Sequence, residues 1–94
     1  LRQQIDIYDD HLLELMEKRM KVAETIGRYK KENNITILPS LRWDEIIRKA
    51  VIKGKEKGLS PELIDAIFKA IHQESINHQM KVMNNGVKDP AEKK

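Results

Sequence analysis

Apolar side chains recur through residues 1–33 at alternating steps of three and four, after a first step of four. This spacing aligns them on one face of a single long α-helix and forms a heptad seam over about four repeats. Gly27 alone weakens this helix, by about 1 kcal/mol against Ala, and it indicates a close approach by another segment. The pair Asn33–Asn34 predicts the helix end. The seam positions are Leu1, Ile5, Tyr8, Leu12, Leu15, Arg19, Val22, Ile26 and Tyr29.

A second, shorter helical pattern follows an apolar connector at residues 35–38. Pro39 and Ser40 precede this helix, and Ser40 is its predicted N-cap. Its apolar residues recur with the period of an α-helix, and Gly54 and Gly58 are expected to end it.

A third helix is predicted to begin at Ser60, the N-cap, with Pro61 at the first helical position. It is expected to run to about Met83. The chain is therefore predicted to be all-α, with three helices per protomer and a long first helix. Residues 1–83 form the predicted domain, and residues 84–94 a flexible C-terminal tail.

The length of the first helix predicts a dimer. A helix of this length extends about 48 Å, whereas a compact globule of this chain length is about 32 Å across. The two shorter helices cannot cover the whole seam, so the overhanging part is expected to pack on a second copy of the chain. The alternatives are a long solvent-exposed helix and a coiled-coil dimer without any binding site.

Composition excludes several classes of function. The chain has no Cys, so disulfides, thiol catalysis and Cys-ligated metals are excluded. No apolar run is long enough to span a membrane, and we expect a cytoplasmic protein that binds no membrane. The net charge of +3 is mild and predicts solubility rather than nucleic-acid binding. The three histidines show no metal-ligand spacing, so no metal is expected.

Three cations stand where apolar or uncharged residues are expected. Arg19 occupies a seam position, and Lys30 lies eleven residues later, about 20° from the same line along the helix. Arg42 begins the second helix, where the helix dipole favours an anion. Each residue alone has an ordinary explanation: a polar residue at position 19 can set the helix register, and solvation accounts for the other two.

Two neutral hydrogen-bonding residues interrupt the apolar stripe of the third helix. Ser75 and Gln79 are one turn apart and face the same way. No acidic residue interrupts the three stripes in compensation. Such a cluster of cations and neutral donors is suited to a small dianion. Because no nucleophile motif accompanies it, an enzyme of this kind is expected to bind and polarise its substrate.

At these residues the chain resembles the all-helical type of chorismate mutase. The resemblance covers about residues 1–83 and includes the eleven-residue interval from Arg19 to Lys30 and the four-residue interval from Ser75 to Gln79. The matching stretches are Leu1 to Asp6, Leu12–Leu13, Lys18 to Gly27, Lys30, Arg42, and Glu74–Ser75 with Gln79.

The resemblance implies an intertwined homodimer of three-helix protomers with two equivalent sites. It also implies conversion of chorismate to prephenate by a pericyclic rearrangement, without a cofactor or a covalent intermediate, in aromatic amino-acid biosynthesis. Arg2 would enter the site of the other protomer, and Arg19 would bind a substrate carboxylate in its own protomer. Lys30 and Gln79 would be catalytic, as donors to the ether oxygen. Arg42 and Ser75 would support the carboxylate end.

The chain departs from the family pattern at two positions. Trp43 follows Arg42 where the family commonly has Glu, which accepts a hydrogen bond from the substrate hydroxyl, and Pro39 stands where Asp is frequent. The resemblance leaves two alternatives open, an isochorismate-pyruvate lyase and a non-catalytic regulatory module that binds an aromatic-pathway metabolite. It is also compatible with a domain fused to, or associated with, another enzyme of the shikimate pathway.

Overall fold

The fold is described by a computed structural model that covers residues 1–37 and 41–84, and within them it contains three α-helices and no strand. The helices are α1 (Arg2–Glu32), α2 (Leu41–Glu56) and α3 (Pro61–Asn84). The all-α prediction with a long first helix is confirmed. The predicted N-cap Ser40, its neighbour Pro39 and residues 85–94 of the predicted tail lie outside the described residues.

The helix α1 ends at the predicted Asn pair. Asn34 adopts a left-handed conformation with φ of 56°, which Asn tolerates better than most residues. This turn lets the Ile35 amide donate to the Lys30 carbonyl at 2.7 Å and the Asn34 amide donate to the Lys31 carbonyl at 3.3 Å. Both bonds belong to a Schellman motif, which satisfies the last carbonyls of a helix. Lys30 is thereby held in the last turn of α1.

The helix α2 also ends in a Schellman motif, but later than the sequence indicated. Gly58, with φ of 82°, is the left-handed residue, and the Leu59 amide donates to the Gly54 carbonyl at 2.8 Å. Gly54 therefore lies inside α2, and the expectation that it ends the helix is wrong. Its small size serves packing, because a Cβ at this position would come within 2.7 Å of Cγ1 of Ile64.

The predicted start of α3 is confirmed. The Ser60 hydroxyl accepts a hydrogen bond from the Leu63 amide at 3.1 Å, which is the N-cap geometry. Pro61 is the first helical residue, where its missing amide hydrogen costs nothing.

The helix α3 packs against both of the others, whereas α1 and α2 make no close backbone contact within the described residues. The contacts between α1 and α3 run in the same direction along both helices, so the two are parallel. Those between α2 and α3 run in opposite directions, so this pair is antiparallel. A gap remains between α1 and α2, with α3 beneath it. The contacts that fix these directions are Met20–Ser75, Glu24–His78, Lys30–Gln79, Trp43–His72 and Gly54–Ile64.

A single protomer buries very little apolar surface. In the part of the chain that the structure describes, the only buried hydrophobic residues are Ala23 and Ile64, at 4% and 7% exposure. The eight apolar residues of the predicted seam are all exposed, because α3 contacts the neighbouring face of α1 at Ala23 and Gly27. None of the three described helices combines the length and apolar character needed to cross a lipid bilayer.

The helices α1 and α3 approach most closely at Gly27. A Cβ at this position would lie 2.9 Å from both Cα and the carbonyl oxygen of Gln79. Because these are backbone atoms, a rotamer change cannot relieve the clash. The close approach indicated by the sequence is confirmed.

Replacing Gly27 by Ala should therefore destabilise the protein although Ala favours helix. We expect a loss of about 1–3 kcal/mol, the usual cost of overpacking, measured by urea unfolding at fixed protein concentration. Thr25→Ala, on the exposed face of the same helix, is the control and should have a much smaller effect. Equal stability of Gly27→Ala and the wild type would contradict the close approach.

Candidate active site

A cavity of about 550 Å³ occupies the gap between α1 and α2. Five of the six predicted site residues line it, contributed by all three helices: Arg19, Lys30, Arg42, Ser75 and Gln79. The remaining lining is mostly apolar and consists of Val22, Ala23, Ile26, Ile37, Trp43, Ile46, His72 and Ile76. The volume is in the range of cavities that hold small molecules.

Helical spacing brings these side chains to one place. Arg19 and Lys30 differ by about 20° around α1 and by about 16 Å along it, so they stand towards opposite ends of the cavity. Ser75 and Gln79 are one turn apart on the face of α3 that forms the floor.

Lys30 and Gln79 contact each other directly. The Lys30 ammonium donates to Oε1 of Gln79 at 3.1 Å, and the contact is partly buried. Because an ammonium can only donate, it selects the carbonyl side of the Gln79 amide and leaves the NH₂ group free to donate elsewhere. The pair therefore offers two donors, one charged and one neutral, to a single acceptor in the cavity.

The cavity carries a strong bias of charge. Arg19, Lys30 and Arg42 are cationic, and none of the described lining residues is Asp or Glu. The Ser75 hydroxyl donates only a weak hydrogen bond to the sulfur of Met20 at 3.8 Å. Its oxygen can still accept a hydrogen bond from a ligand, or the hydroxyl can rotate and donate one to it. Cations gathered without carboxylates favour an anion with more than one negative charge.

An aromatic pair forms another part of the wall. The rings of Trp43 and His72 stack with their centroids 4.0 Å apart and their planes inclined by 18°. Burial lowers the pKa of His72 below its ordinary value of 6.5. The sequence interpretation missed His72, although its position seven residues before Gln79 places both on one face of α3. The indole nitrogen of Trp43 is buried and has no hydrogen-bond partner among the described residues.

Arg2 does not belong to this cavity. It is the first residue of α1 and is exposed. Seventeen residues separate it from Arg19, a distance of about 26 Å along the helix and about 100° around it. The sixth predicted residue thus lies far from the five that the cavity brings together within one chain.

The sequence profile of the family described as chorismate mutase type II matches residues 1–80. The chain belongs to this family. The match includes α1, α2 and α3 up to residue 80, together with every predicted site residue, and it makes the chain a domain of the chorismate mutase family.

Relatives of this mutase domain include two larger bifunctional enzymes. It is 30% identical over 88 residues to the bifunctional chorismate mutase/prephenate dehydratase of Buchnera aphidicola subsp. Schizaphis graminum, covering 94% of this chain and 23% of the relative. The enzyme of the same name from Buchnera aphidicola subsp. Acyrthosiphon pisum is 29% identical over 82 residues, which cover 87% and 21% of the two chains.

A third relative of the mutase domain is the T-protein of Haemophilus influenzae. It is 25% identical over 75 residues, which are 80% of this chain and 20% of the relative. The chain therefore spans less than a quarter of the length of the curated relatives that it matches. No solved structure gives a significant match.

The mutase domain has a second cavity, of about 620 Å³, on another side of the α1–α3 pair. It is larger, but it contains none of the predicted site residues, and most of its exposed lining surface is apolar. The cavity residues from α1 are Leu13, Met16, Glu17, Met20, Lys21 and Glu24, and those from α3 are Ala70, Ile71, Glu74 and His78. Chemistry therefore favours the smaller, cationic cavity as the active site.

His78 links α1 and α3 at the edge of this second cavity. Its Nδ1 lies 2.7 Å from a Glu24 oxygen, and its Nε2 lies 2.9 Å from a Glu74 oxygen. Because ionised carboxylates only accept, both bonds are made when both ring nitrogens carry hydrogen, which is the cationic imidazole. The hydrogen bond to Glu24, followed by that to Glu74, raises the pKa of His78 above 6.5, although burial opposes the shift. Within residues 1–37 and 41–84, no group of three or more His, Asp or Glu side chains is arranged to hold a metal ion.

The stability of the mutase domain should depend on the protonation of His78. Because the pKa of His78 is higher in the folded protein than in the unfolded chain, its protonation stabilises the fold. This contribution is fully present below pH 6.5, the pKa in the unfolded chain, and it is lost as the pH rises through the pKa in the folded protein. His78→Gln should therefore cost about 0.5–1 kcal/mol at acidic pH, the range of partly exposed ion pairs. The cost should vanish at alkaline pH.

Urea unfolding of both proteins between about pH 5.5 and pH 9 measures this difference. The wild type and the variant must be compared at each pH, because His72 has the opposite effect. Its pKa is lowered in the folded protein, so its contribution to the free energy of unfolding decreases as the pH falls. His11→Gln, at an exposed histidine of α1, controls for the loss of a histidine. A cost of His78→Gln that grows with pH would contradict the cationic link.

Proposed function

We propose that this domain converts chorismate to prephenate by a pericyclic rearrangement, with no cofactor and no covalent intermediate. The observation that carries the proposal is the contact between Lys30 and Gln79 at 3.1 Å inside a cationic cavity whose described lining includes no carboxylate. Membership of the chorismate mutase family supports the same reaction. The reaction needs only a bound conformation and charge stabilisation, and the cavity is equipped for both.

The chemistry depends on the ether oxygen of chorismate. Its bond to the ring carbon breaks before the new carbon–carbon bond is complete, so negative charge accumulates on this oxygen in the transition state. Donors fixed at that oxygen stabilise the transition state more than the substrate, which raises turnover. The Lys30 ammonium and the free NH₂ of Gln79 are the two donors that we assign to it.

The two substrate carboxylates require cations at other points of the cavity. Arg19 lies about 16 Å along α1 from Lys30, and Arg42 enters from the start of α2. We assign these two guanidinium groups, with the Ser75 hydroxyl, to the carboxylates. A planar guanidinium binds a carboxylate through two parallel hydrogen bonds, which orients the substrate as well as holding it.

We further propose that the active protein is an intertwined homodimer whose sites share residues. The apolar seam of α1 is exposed throughout one protomer, from Leu1 at 99% to Ile26 at 41%. Covering it requires a partner of similar length, and a second α1 related by a two-fold axis provides one. Arg2, which is remote from the cavity of its own chain, would then complete the cavity of the other protomer.

The domain is also proposed to be part of a larger enzyme. The curated relatives named bifunctional chorismate mutase/prephenate dehydratase are more than four times as long as the matched region. A second activity that consumes prephenate would suit this domain, whose proposed product is prephenate. The cytoplasmic location expected from the sequence stays a prediction.

The Lys30 ammonium should contribute more than any other donor to the rate. Lys30→Ala should lower turnover of chorismate by roughly a hundredfold to a thousandfold, as loss of a donor to a developing oxyanion does. Turnover is followed by loss of chorismate and formation of prephenate, with folding checked by circular dichroism. Lys31→Ala, the neighbouring lysine outside the cavity, is the control.

The Gln79→Glu variant tests the same assignment through pH. An ionised carboxylate beside Lys30 would repel the ether oxygen, whereas a protonated one can donate to it. Turnover by Gln79→Glu should therefore appear only at acidic pH, below about pH 5. A flat profile, or near-normal turnover by Lys30→Ala, would refute the mechanism. Pyruvate released from isochorismate, with chorismate left intact, would favour the lyase alternative.

Site sharing predicts that two inactive variants rescue each other. Arg2→Ala and Arg19→Ala should each lose activity while sedimenting at twice the chain mass at micromolar concentration. In a mixed dimer one site inherits both defects and the other neither, so mixing should restore up to about a quarter of wild-type activity at equal amounts and random exchange. A folded, active monomer, or no recovery after confirmed subunit exchange, would count against shared sites.

A further inference from the structure

The imidazole of His72 faces the active-site cavity, and the mechanism proposed above does not use it. It is half-buried and stacked on Trp43 with ring centroids 4.0 Å apart. None of the hydrogen bonds among the described residues involves either of its ring nitrogens. A polar side chain that lines a cavity and has no partner among the described residues is available to a ligand.

The position of His72 along α3 indicates which part of the substrate it meets. Seven residues separate it from Gln79, which is about 10.5 Å along the helix and about 20° around it. The forming six-membered ring of the rearrangement places the carbon with the ring carboxylate across from the ether oxygen. Typical bond lengths put a carboxylate oxygen roughly 5 Å from that ether oxygen. With a hydrogen bond of about 3 Å at each end, the two donor atoms would be about 11 Å apart, which is comparable to the separation of about 10.5 Å between the two residues along α3.

The charges around His72 determine the protonation state of its imidazole before and after the substrate binds. The charged side chains that share the cavity are Arg19 and Lys30 from α1 and Arg42 from α2, and all three are cationic. None of the described lining residues supplies a carboxylate to stabilise an imidazolium. Burial also lowers the pKa of His72. In the empty cavity the neutral imidazole therefore prevails near neutral pH, and a bound dianion would reverse that preference.

We propose that His72, positioned by Trp43, donates a hydrogen bond to the ring carboxylate of chorismate and takes up a proton from solvent when the dianion binds. The proton adds to the ring nitrogen that does not face the carboxylate, and no bond of the substrate changes. His72 is then a substrate-binding residue, and Trp43 is a positioning residue that acts through it. The inference rests on the proposed function, because it requires chorismate in this cavity.

The first test separates binding from chemistry. The carboxylate keeps its charge during the reaction, so its contacts affect KM more than kcat. His72→Leu should raise the KM for chorismate roughly tenfold to a hundredfold, the worth of a hydrogen bond to a charged group, and should change kcat by less than about threefold. His78→Gln, on the same helix but outside the cavity, should leave both constants close to wild type.

The second test uses pH to detect the proton. In the wild type, KM should fall as pH is lowered from about 8 to about 6, because the protonated imidazole binds the carboxylate more strongly. His72→Gln keeps a neutral donor at every pH, so its KM should be near the wild-type value at about pH 8 but should not fall at about pH 6. The dependence should persist in His78→Gln.

The third test addresses Trp43. Trp43→Phe keeps an aromatic face for the imidazole and should keep the wild-type KM profile. Trp43→Leu removes the stacking, so its KM should approach that of His72→Leu, and the His72 resonances should titrate closer to the ordinary pKa of 6.5 in NMR spectra. A Trp43→Phe variant that binds as poorly as Trp43→Leu would overturn the positioning role.

The outcomes also distinguish this inference from the function on which it rests. A wild type that leaves chorismate unchanged would remove the proposed function itself. A wild type that converts chorismate, together with a His72→Leu variant whose KM changes by less than about twofold, would overturn the role of His72 alone. A pH dependence of KM that survives in His72→Gln would overturn the proton uptake.

Discussion

The close packing of α1 on α3 is the constraint on which the site depends. It favours a glycine at position 27, since a Cβ there would lie 2.9 Å from two backbone atoms of Gln79. The same contact places Lys30, less than one turn further along α1, within hydrogen-bonding distance of the Gln79 side chain. The Schellman motif at Asn34 fixes the end of α1 directly after this point. A donor pair of fixed geometry thus follows from a local packing requirement.

The small hydrophobic core of the protomer is a second feature that shapes the site. With two buried hydrophobic residues in the described chain, one copy cannot gain much stability from burial. Because α1 and α2 both pack on α3 and not on each other, a gap remains between them, and that gap is the cavity. If the exposed seam of α1 is covered by a second copy, association and completion of the site become the same event.

The cavity combines a cluster of cations with an aromatic pair in its wall. Arg19, Lys30 and Arg42 share the cavity without a carboxylate from the described lining, so their mutual repulsion is uncompensated in the empty site. A bound dianion would offset this repulsion. His72, which stacks on Trp43, adds an imidazole that can stay neutral in the empty site.

The sequence by itself determined the helices, because helix ends depend on residues close in the chain. Asn33–Asn34, Ser60 and Pro61 predicted where α1 ends and α3 begins, and the heptad spacing predicted the long α1. The spacing of Arg19 with Lys30, and of Ser75 with Gln79, also predicted which side chains share a face, since helical geometry alone sets that.

Only the tertiary structure decided how those faces meet. The sequence assigned Gly54 to a helix end, but it lies inside α2, where the absence of a Cβ leaves room for the Ile64 side chain. Nothing local in the chain pairs Lys30 with the Oε1 of Gln79, forty-nine residues away, or stacks Trp43 on His72. His72 was missed for the same reason. One histidine on a helix can be solvated, buried or exposed to a ligand, and the packing of α2 and α1 around α3 selects among these environments.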